Sequence, residues 1–589
     1  EEIDSWFFEK FSELGYDRFE DTLPELDELE DLLCDANTEI GRNFKVSDYI
    51  LIRMLFSLLI SSDIRSAAGY KLSNHESPPS VFVSDYKVKK FKSTGDTLDE
   101  LRRITAERIL SRLEDLPGMI TLTAPTGSGK TLIGLEAALR IADGRRVIYC
   151  LPFTSIIDQN YDVFKEVLNA DGPELLLKHH HLAEIPFSND DDYNRYELLM
   201  EHWDSSVVVT TFVQLFNTLF GTSKSSLVRL SRLAGSVILL DEVQAVPRKD
   251  WEIFEEILAE LISEYGVKVI LMTATQPAIA IPERSKELFP ELEELWMGRD
   301  RYRLYNDSKD DITVSDLAER IDKVEESTII ILNTIAESIE LFELLSGRFE
   351  NVYYLSSNII PKHRRERIAM LKELDEPFIL VTTQVIEAGV DISCGVMYRD
   401  LAPLDSIIQA AGRCNRNNEI SEGEVRLIRI IREGSTKIPA KMVYDSILIN
   451  VTEDILTEDS YSESELRQLA NDYFSTLKRK KAGGNFEEAI SSLDFKEIEN
   501  EAQLITDYPK TNYFFITDVD SENLWDEYCA LSVIEDYVER QKAWHKIKSS
   551  FMERVISVRD ERNDRGMLPL YEESYDEQTG WRKGADAYS

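Results

Sequence analysis

The sequence is poor in cysteine and in basic residues, and it has no long apolar run. Five cysteines (Cys34, Cys150, Cys394, Cys414 and Cys529) are scattered along 589 residues and odd in number, which excludes a disulfide framework or a zinc ribbon. The most apolar stretch, Tyr49 to Ser62, is too short to cross a bilayer. It carries Arg53 at its centre and so reads as a buried helix of a water-soluble protein, with no membrane partner expected. There is no secretory signal, and the chain begins Glu1-Glu2 without Met, which points to a processed or trimmed chain in a reducing, cytoplasmic compartment. Only 67 basic residues face 109 acidic ones, a formal charge of -42 that repels nucleic acid at long range. A nucleic-acid partner would therefore have to be held by local patches and backbone N–H groups, or be delivered by another protein.

The composition that is present, 43% hydrophobic and 30% charged, is that of a globular chain able to bury several cores. Residues 1–95 read as helical and acidic. The Ser/Pro-containing stretch Ser73–Ser84 and the basic run Lys87, Lys89, Lys90 and Lys92 read as a linker. From about Leu98 short apolar runs alternate with helical patterns: Met119–Ala124, Arg146–Pro152, Ser206–Thr211, Val237–Leu240 and Val267–Met272. A second series follows at Thr328–Leu332, Val352–Leu355, Phe378–Thr382, Gly395–Tyr398 and Val425–Ile430. Strands that are apolar throughout are strands buried on both faces, so two doubly wound α/β domains are expected, over 96–300 and 301–435. The polar segment Arg299–Asp311 reads as the joint between them. The remainder, 436–589, reads as mainly helical to Val538, with strands at Arg554–Val558 and Leu568–Tyr571.

Ala124-Pro-Thr-Gly-Ser-Gly-Lys-Thr131 follows the first strand and precedes a helical run. Pro125, Thr126, Gly127, Ser128 and Gly129 form a loop whose backbone can curl around a phosphate. Lys130 would reach the β- and γ-phosphates, and the Thr131 hydroxyl would bind Mg²⁺. Asp241 and Glu242 close the strand Val237–Leu240, where a metal-linked carboxylate and a water-activating base belong. Thr273 and Thr275 end the next strand. In the second block, Gln409 precedes Arg413 and Arg416. Three residues apart, the two arginines are expected on one helix face, from which they could reach a γ-phosphate across a cleft. His179–His181 reads as a surface loop, since adjacent residues do not converge on one ion.

Taken together, LTAPTGSGKT (122–131), LPFTSIIDQNY (151–161), TTFVQLFNTLF (210–220), LLDEVQAV (239–246), MTATQP (272–277), LSSNIIPKHRRERI (355–368), VTTQVIEAGVDIS (381–393) and APLDSIIQAAGRCNR (402–416) resemble the superfamily 2 helicases. More narrowly, they resemble the helicase part of the CRISPR-associated helicase–nuclease of type I systems. The resemblance spans roughly residues 100–435, and weaker similarity continues in YFFI (513–516), Trp525–Tyr528 and YDEQTGW (575–581). It implies two tandem RecA-like domains, ATP and Mg²⁺ as cofactors, and 3′ to 5′ movement on single-stranded DNA exposed by the Cascade surveillance complex. By the same resemblance Asp391 approaches the nucleotide, Thr273 and Thr275 couple hydrolysis to movement, and Thr154, Thr211 and Thr383 touch the DNA backbone. The sequence departs from the family pattern in offering ELRRITAERI (100–109) where a base-reading glutamine is usual.

The family's N-terminal HD nuclease needs several histidines, and none of the seven here precedes His75. Residues 51–67 nevertheless resemble the closing helix of that nuclease, with Asp63 at its last metal-binding position. Either the chain is truncated within the nuclease domain or a separate HD nuclease subunit supplies the activity. Two other readings remain open from the sequence: a superfamily 2 translocase of another pathway, such as restriction or repair, and a nucleotide-gated scaffold without turnover.

Overall fold

The computed structural model describes residues 43–70, 76–90, 97–114, 116–124, 128–180, 190–273, 279, 285–291, 300–387, 390–434, 438–480, 485–504, 510–559 and 567–581. Its first sheet contains β1 (Met119–Thr123), β2 (Val147–Leu151), β3 (Leu176–His179), β4 (Val207–Thr211), β5 (Val237–Asp241), β6 (Lys268–Thr273) and β7 (Ser285–Glu287). The spatial order is β3-β4-β2-β5-β6-β1-β7, and every pairing is parallel. Parallel neighbours need crossover connections, so helices cover both faces and the strands must be apolar throughout. Side chains alternate accordingly. Val237 and Leu239 of β5 enter one core, and Ile238 and Leu240 enter the other.

The second sheet repeats the scheme with β8 (Tyr302–Ile312), β9 (Thr328–Ile331), β10 (Val352–Leu355), β11 (Ile379–Thr382), β12 (Val396–Asp400), β13 (Gly423–Ile430) and β14 (Ser460–Ser462), in the order β10-β11-β9-β12-β13-β8-β14. Only β14 runs antiparallel, along β8. These are the two RecA-like units of the expected α/β class, and each apolar run named from the sequence falls on a strand. The joint expected at Arg299–Asp311 is instead β8, the longest strand among the described residues. Tyr302, Leu304 and Asn306 alternate inward, while Asp307 and Asp311 pair with Arg426 and Arg429 of β13. Cross-strand ion pairs explain how so charged a segment sits in a ladder.

The stretch after Glu433 divides into two parts. Short helices up to Glu501, chief among them Glu463–Arg479, lie against both sheets. One continuous apolar cluster runs from Leu240 and Phe254 through Tyr473, Phe474 and Leu477 to Ile329 and Ile331. A buried ion pair, Arg301–Glu463 at 2.6 Å, and the Lys478–Glu255 pair at 2.5 Å fasten the same helix. The second part is a three-stranded sheet, β15 (Lys510–Ile516), β16 (Val555–Arg559) and β17 (Met567–Tyr571), with helices Val519–Ala530 and Tyr537–Met552 and the ribbon β18 (Tyr575–Asp576) and β19 (Gly580–Trp581). It docks on the second RecA-like unit by backbone. The Trp581 N–H donates to the Asn358 carbonyl at 3.0 Å, and the Asn358 side-chain amide donates to the Trp581 carbonyl at 2.8 Å. A Cβ at Gly580, whose φ is +80°, would lie 2.2 Å from the Asn358 oxygen, so only glycine fits there.

The supposed linker is structured where it is described. Val81–Lys90 forms a helix whose Lys87 pairs with buried Glu136 at 2.9 Å and whose Lys90 pairs with Glu166 at 3.0 Å. Lys92 lies outside the described residues. The apolar run 49–60 is part of the helix Val46–Ala68, and Asp63 lies exposed on it. Arg53 is 2% exposed and donates to the carbonyls of Thr218, Phe220 and Gly221 at 3.0, 3.3 and 2.8 Å. A guanidinium here satisfies the orphan carbonyls at the end of the helix Phe212–Phe220. Arg53→Met keeps the bulk but strands those carbonyls. We expect it to weaken the packing of the N-terminal helix by about 2–3 kcal/mol. Hydrogen exchange should report this as faster opening of residues 46–68 and 212–221, with the second sheet unaffected.

Candidate active site

The C-terminal ends of β1, β5 and β6 sit side by side, because β1 and β5 both pair with β6. The motif-bearing loops therefore share one edge of the sheet. Lys130 is the first residue of the helix Lys130–Ala142. Gly129 precedes it at φ +85°, a turn that aims the helix N-terminus into the space above the sheet. Lys130 Nζ lies 3.2 Å from Glu242 Oε1. Glu242 has φ +58°, unusual for a residue with a side chain, and its N–H donates to the Met272 carbonyl at 2.9 Å. That twist turns the Glu242 carboxylate towards Lys130, while Asp241 stays in the strand.

The network continues through a residue to which the sequence reading gave no role. The Gln244 amide donates to Glu242 Oε2 at 2.6 Å, and its carbonyl accepts from the Thr273 hydroxyl at 2.7 Å. Lys130, Glu242, Gln244 and Thr273 thus form an unbroken polar chain linking three motifs. Tyr149 was also missed: its hydroxyl donates to Asp241 Oδ2 at 2.8 Å. A tyrosine in an otherwise aliphatic strand one place from β5 is the signal that could have found it.

Asp241 is 5% exposed, and its other oxygen, Oδ1, has no hydrogen-bond partner among the described residues. The Ser128 hydroxyl in the loop is likewise buried and unpartnered. Burial, reinforced by Glu242 next door, pushes the Asp241 carboxyl up to about 7. An orphaned carboxylate oxygen bordering the same cavity as Thr131 suits a hard cation that accepts oxygen ligands. Thr131 and Asp241 are therefore the residues that could hold Mg²⁺, and Lys130 with the Gly129 loop could hold the phosphates. Pro125, Thr126, Gly127 and Thr275 lie outside the described residues.

The opposite wall of the cavity, whose volume is about 1700 Å³, comes from the second sheet: Asp391, Gln409, Arg413 and Arg416 border it together with Lys130, Asp241 and Glu242. The two arginines do not lie on a helix face. The helix Leu404–Ala411 stops before them, and they occupy a turn in which Cys414 bridges to Cys394 and Asn415 takes a positive φ. Gly412 was the stop signal in the sequence. The two cysteines, remote in the chain, are neighbours here and both buried. Arg416 Nε lies 2.9 Å from Asp391 Oδ1, and Arg413 donates to the Glu387 carbonyl at 3.0 Å, its Nε buried without a partner among the described residues. Both guanidinium groups rest on partners from their own domain.

Thr154, Thr211 and Thr383 stand at the ends of β2, β4 and β11, each at or beside a helix N-terminus, and none borders the cavity. The Thr211 hydroxyl accepts from the Gln214 N–H at 3.1 Å as a helix cap. Among the histidines, His179 is not in a surface loop but ends β3, where its ring accepts from the Trp203 indole at 2.9 Å. His180 is buried, and His181 lies outside the described residues.

A phosphate loop on one parallel sheet and arginines on a second, opening on a shared cavity, is the architecture of a superfamily 2 helicase. Residues 103–281 match the family model described as DEAD/DEAH box helicase, and residues 324–419 match that described as CRISPR-associated nuclease/helicase Cas3, C-terminal. Over those residues the chain is similar to the helicases of the Cas3 family. It is 31% identical to a CRISPR-associated nuclease/helicase Cas3 from Haloferax volcanii, with 51% of this chain and 45% of that protein covered. It is 26% identical to the protein of the same description from Methanothermobacter thermautotrophicus, covering 66% of this chain and 50% of that one. The chain thus spans about half the length of the curated relatives it matches. The crystal structure of T. fusca Cas3 with ATP shares the fold at a TM-score of 0.62 and 19% identity, covering 89% of this chain and 74% of that one.

The buried carboxylate yields a pH prediction. In the unfolded chain Asp241 gives up its proton near 3.8, whereas in the fold it does so near 7. The fold therefore binds more protons across that window and loses stability as the pH rises through it. Asp241→Asn should remove this loss, so its thermal midpoint overtakes that of the wild type above pH 7, by about 2–4 °C for each kcal/mol recovered. Parallel pH slopes for the two proteins would contradict it.

Proposed function

We propose that this chain is an ATP-dependent translocase and helicase on single-stranded DNA. It moves 3′ to 5′ and acts in type I CRISPR interference on target DNA presented by Cascade. The observation that carries the reading is the polar chain Lys130–Glu242–Gln244–Thr273. It ties the phosphate loop to the end of β6 inside a cavity whose other wall supplies Arg413 and Arg416. Lys130 neutralises phosphate charge. On nucleotide binding it exchanges Glu242 for the phosphates, and the freed carboxylate orients and deprotonates the attacking water. Thr131 and Asp241 would hold Mg²⁺, which would supply positive charge to offset the negative charge of the phosphates. Arg413 and Arg416 leave Glu387 and Asp391 to meet charge developing at the γ-phosphate, which draws the two sheets together. Gln244 and Thr273 pass that closure to the strand ends where Thr154, Thr211 and Thr383 hold the DNA backbone, and one cycle of closing and opening advances the chain.

A solved structure described as a CRISPR RNA-guided surveillance complex, pre-nicking, includes a chain of this fold, at a TM-score of 0.54 and 19% identity. Delivery of DNA by such a complex would reconcile nucleic-acid work with a net charge of -42. Strand cutting is assigned to a histidine-rich HD nuclease site outside these residues, either in a longer form of the chain or on a separate subunit. Mn²⁺, Ni²⁺ or Co²⁺ added to this chain with single-stranded DNA should leave the strand intact over many ATP turnovers. Metal-dependent cleavage that survives Glu242→Gln would overturn that assignment.

The deciding experiment is ATP hydrolysis with and without single-stranded DNA. Stimulation is expected, and Lys130→Ala or Glu242→Gln should abolish it while circular dichroism shows the fold intact. Arg413→Ala or Arg416→Ala should lower maximal turnover by about 10³-fold with little change in nucleotide affinity. Weakened affinity at an unchanged maximal rate would assign the arginines to ground-state binding instead.

A further inference from the structure

Behind the wall that the second sheet gives to the cavity lies a buried polar network that the proposed cycle leaves unused. Its centre is Arg399, near the end of β12, whose side chain is fully buried. One guanidinium nitrogen donates to Asn333 Oδ1 at 2.9 Å and to the Asp400 carbonyl at 2.8 Å. Another donates to the hydroxyls of Ser406 and Tyr444, both at 3.0 Å, and lies 2.8 Å from Glu387 Oε1 as a charge pair. Ser406 in turn donates to Glu387 Oε2 at 2.7 Å. Asn333 is fixed as well. Its amide donates to Asp400 Oδ2 and to the Leu401 carbonyl, both at 2.7 Å, and its main-chain carbonyl accepts from the Gln384 amide at 2.9 Å.

Stability alone does not account for this centre. Two charges moved from water into a sheet edge regain little more than they lose, and apolar side chains of similar volume commonly serve as well. What the network does reach is the cavity. Gln384, Glu387, Ser406 and Tyr444 all border it. The Glu387 main-chain carbonyl is also the group that accepts from Arg413 at 3.0 Å. The Arg413 guanidinium has no other hydrogen-bond partner among the described residues. A long side chain held by one hydrogen bond is only as well placed as its acceptor. Here the acceptor belongs to a residue whose carboxylate is clasped on both oxygens, by Arg399 and by Ser406.

We propose that Arg399 is a positioning residue for ATP hydrolysis. It locks the Glu387 side chain, and with it the carbonyl that holds Arg413 poised at the edge of the cleft. The proposal rests on the motor reading above and adds what aims one of its two arginines; Arg416 is held separately, by Asp391. Tyr444 adjoins Asp445, which pairs with Arg248 of the first unit at 3.7 Å. The aim of Arg413 is thereby tied to the stretch that bridges the two units.

The test is ATP hydrolysis by the full chain at saturating oligodeoxythymidylate, with nucleotide affinity read separately from a fluorescent, non-hydrolysable ATP analogue. Arg399→Met combined with Glu387→Met removes both buried charges and leaves neither one bare, so the thermal midpoint should stay close to that of the wild type. Maximal turnover should fall by about 10- to 100-fold at unchanged analogue affinity. Affinity for ADP with aluminium fluoride, which mimics the transferring phosphoryl group, should fall in step with turnover. Arg399→Lys keeps the charge but loses the fork, and should fall part of the way. In a chain that already carries Arg413→Ala, the paired substitution should cost nothing further. Wild-type turnover in the paired variant, analogue affinity that falls as far as turnover, or an undiminished cost beside Arg413→Ala would each mean a merely structural role and overturn the proposal. Should the paired variant fail to fold, Arg399→Lys decides alone, and wild-type turnover there would overturn the proposal equally. A wild-type chain that hydrolyses no ATP with DNA present would instead bring down the motor reading on which the proposal stands.

Discussion

All seven strands of the first sheet run in one direction, and much of the molecule's chemistry depends on that constraint. A parallel ladder cannot be closed by hairpins. Every return passes through a crossover, and every strand delivers its C-terminal end to the same side. Because β6 lies between β1 and β5, the loops after those three strands are neighbours although more than a hundred residues separate the first from the others. Lys130 and Glu242 can then face each other at 3.2 Å, and Gln244 can bridge to Thr273. An antiparallel sheet would alternate the two ends of its strands and divide these groups between opposite edges.

The same geometry sets the electrostatics. Buried Asp241 and Lys130 and half-buried Glu242 lie close together in a low-dielectric space, where an uncompensated charge costs far more than in water. The cleft therefore pairs its own charges: the lysine has a carboxylate where a phosphate could sit, and Arg416 has Asp391. Filling the cleft with a polyanion would exchange partners and would not strip any charge bare. Such an exchange can be driven in both directions by binding and release, as a cyclic motor requires. The strained Glu242 backbone, at φ +58°, fits this arrangement, since it holds the carboxylate where the lysine can trade it for a ligand.

The central strands were legible because burial on both faces forces an unbroken apolar run, a local signal. The outer strands were not. Leu176–His179 is short and ends in histidine, Ser285–Glu287 has no apolar residue, and Tyr302–Ile312 carries charges that are satisfied by Arg426 and Arg429 more than a hundred residues away. The linker reading failed for the same reason: Lys87 and Lys90 look like a solvated run until Glu136 and Glu166 are folded against them. Within the cavity, the residues with loop-and-strand signatures were placed from sequence. Gln244 and Tyr149 were not, because their roles depend on register between strands. The expected helix under Arg413 and Arg416 gave way to a turn because the backbone β-bridge between residues Cys394 and Cys414, both free thiols, and the left-handed Asn415 redirect the chain after Gly412.

The bridging helices after Glu433 raise a question about motion. The apolar cluster that passes through Tyr473, Phe474 and Leu477 joins both sheets, so the two units are not hinged on a bare linker. Closing a cleft against such a core must work by small sliding of packed helices, since a close-packed interior does not deform freely. Polar and ionic fastenings locate where sliding is resisted. Arg301–Glu463 is buried and fixes the helix to the second sheet, whereas Lys478–Glu255, at the far end of that helix, is largely exposed at its lysine and easily remade. A helix anchored firmly at one end and loosely at the other can pivot on the second sheet while its aromatic face shifts over Trp251. Its Tyr473, Phe474 and Leu477 line the nucleotide cavity itself. Whatever fills the cavity therefore touches this helix directly, through the packing of those three side chains.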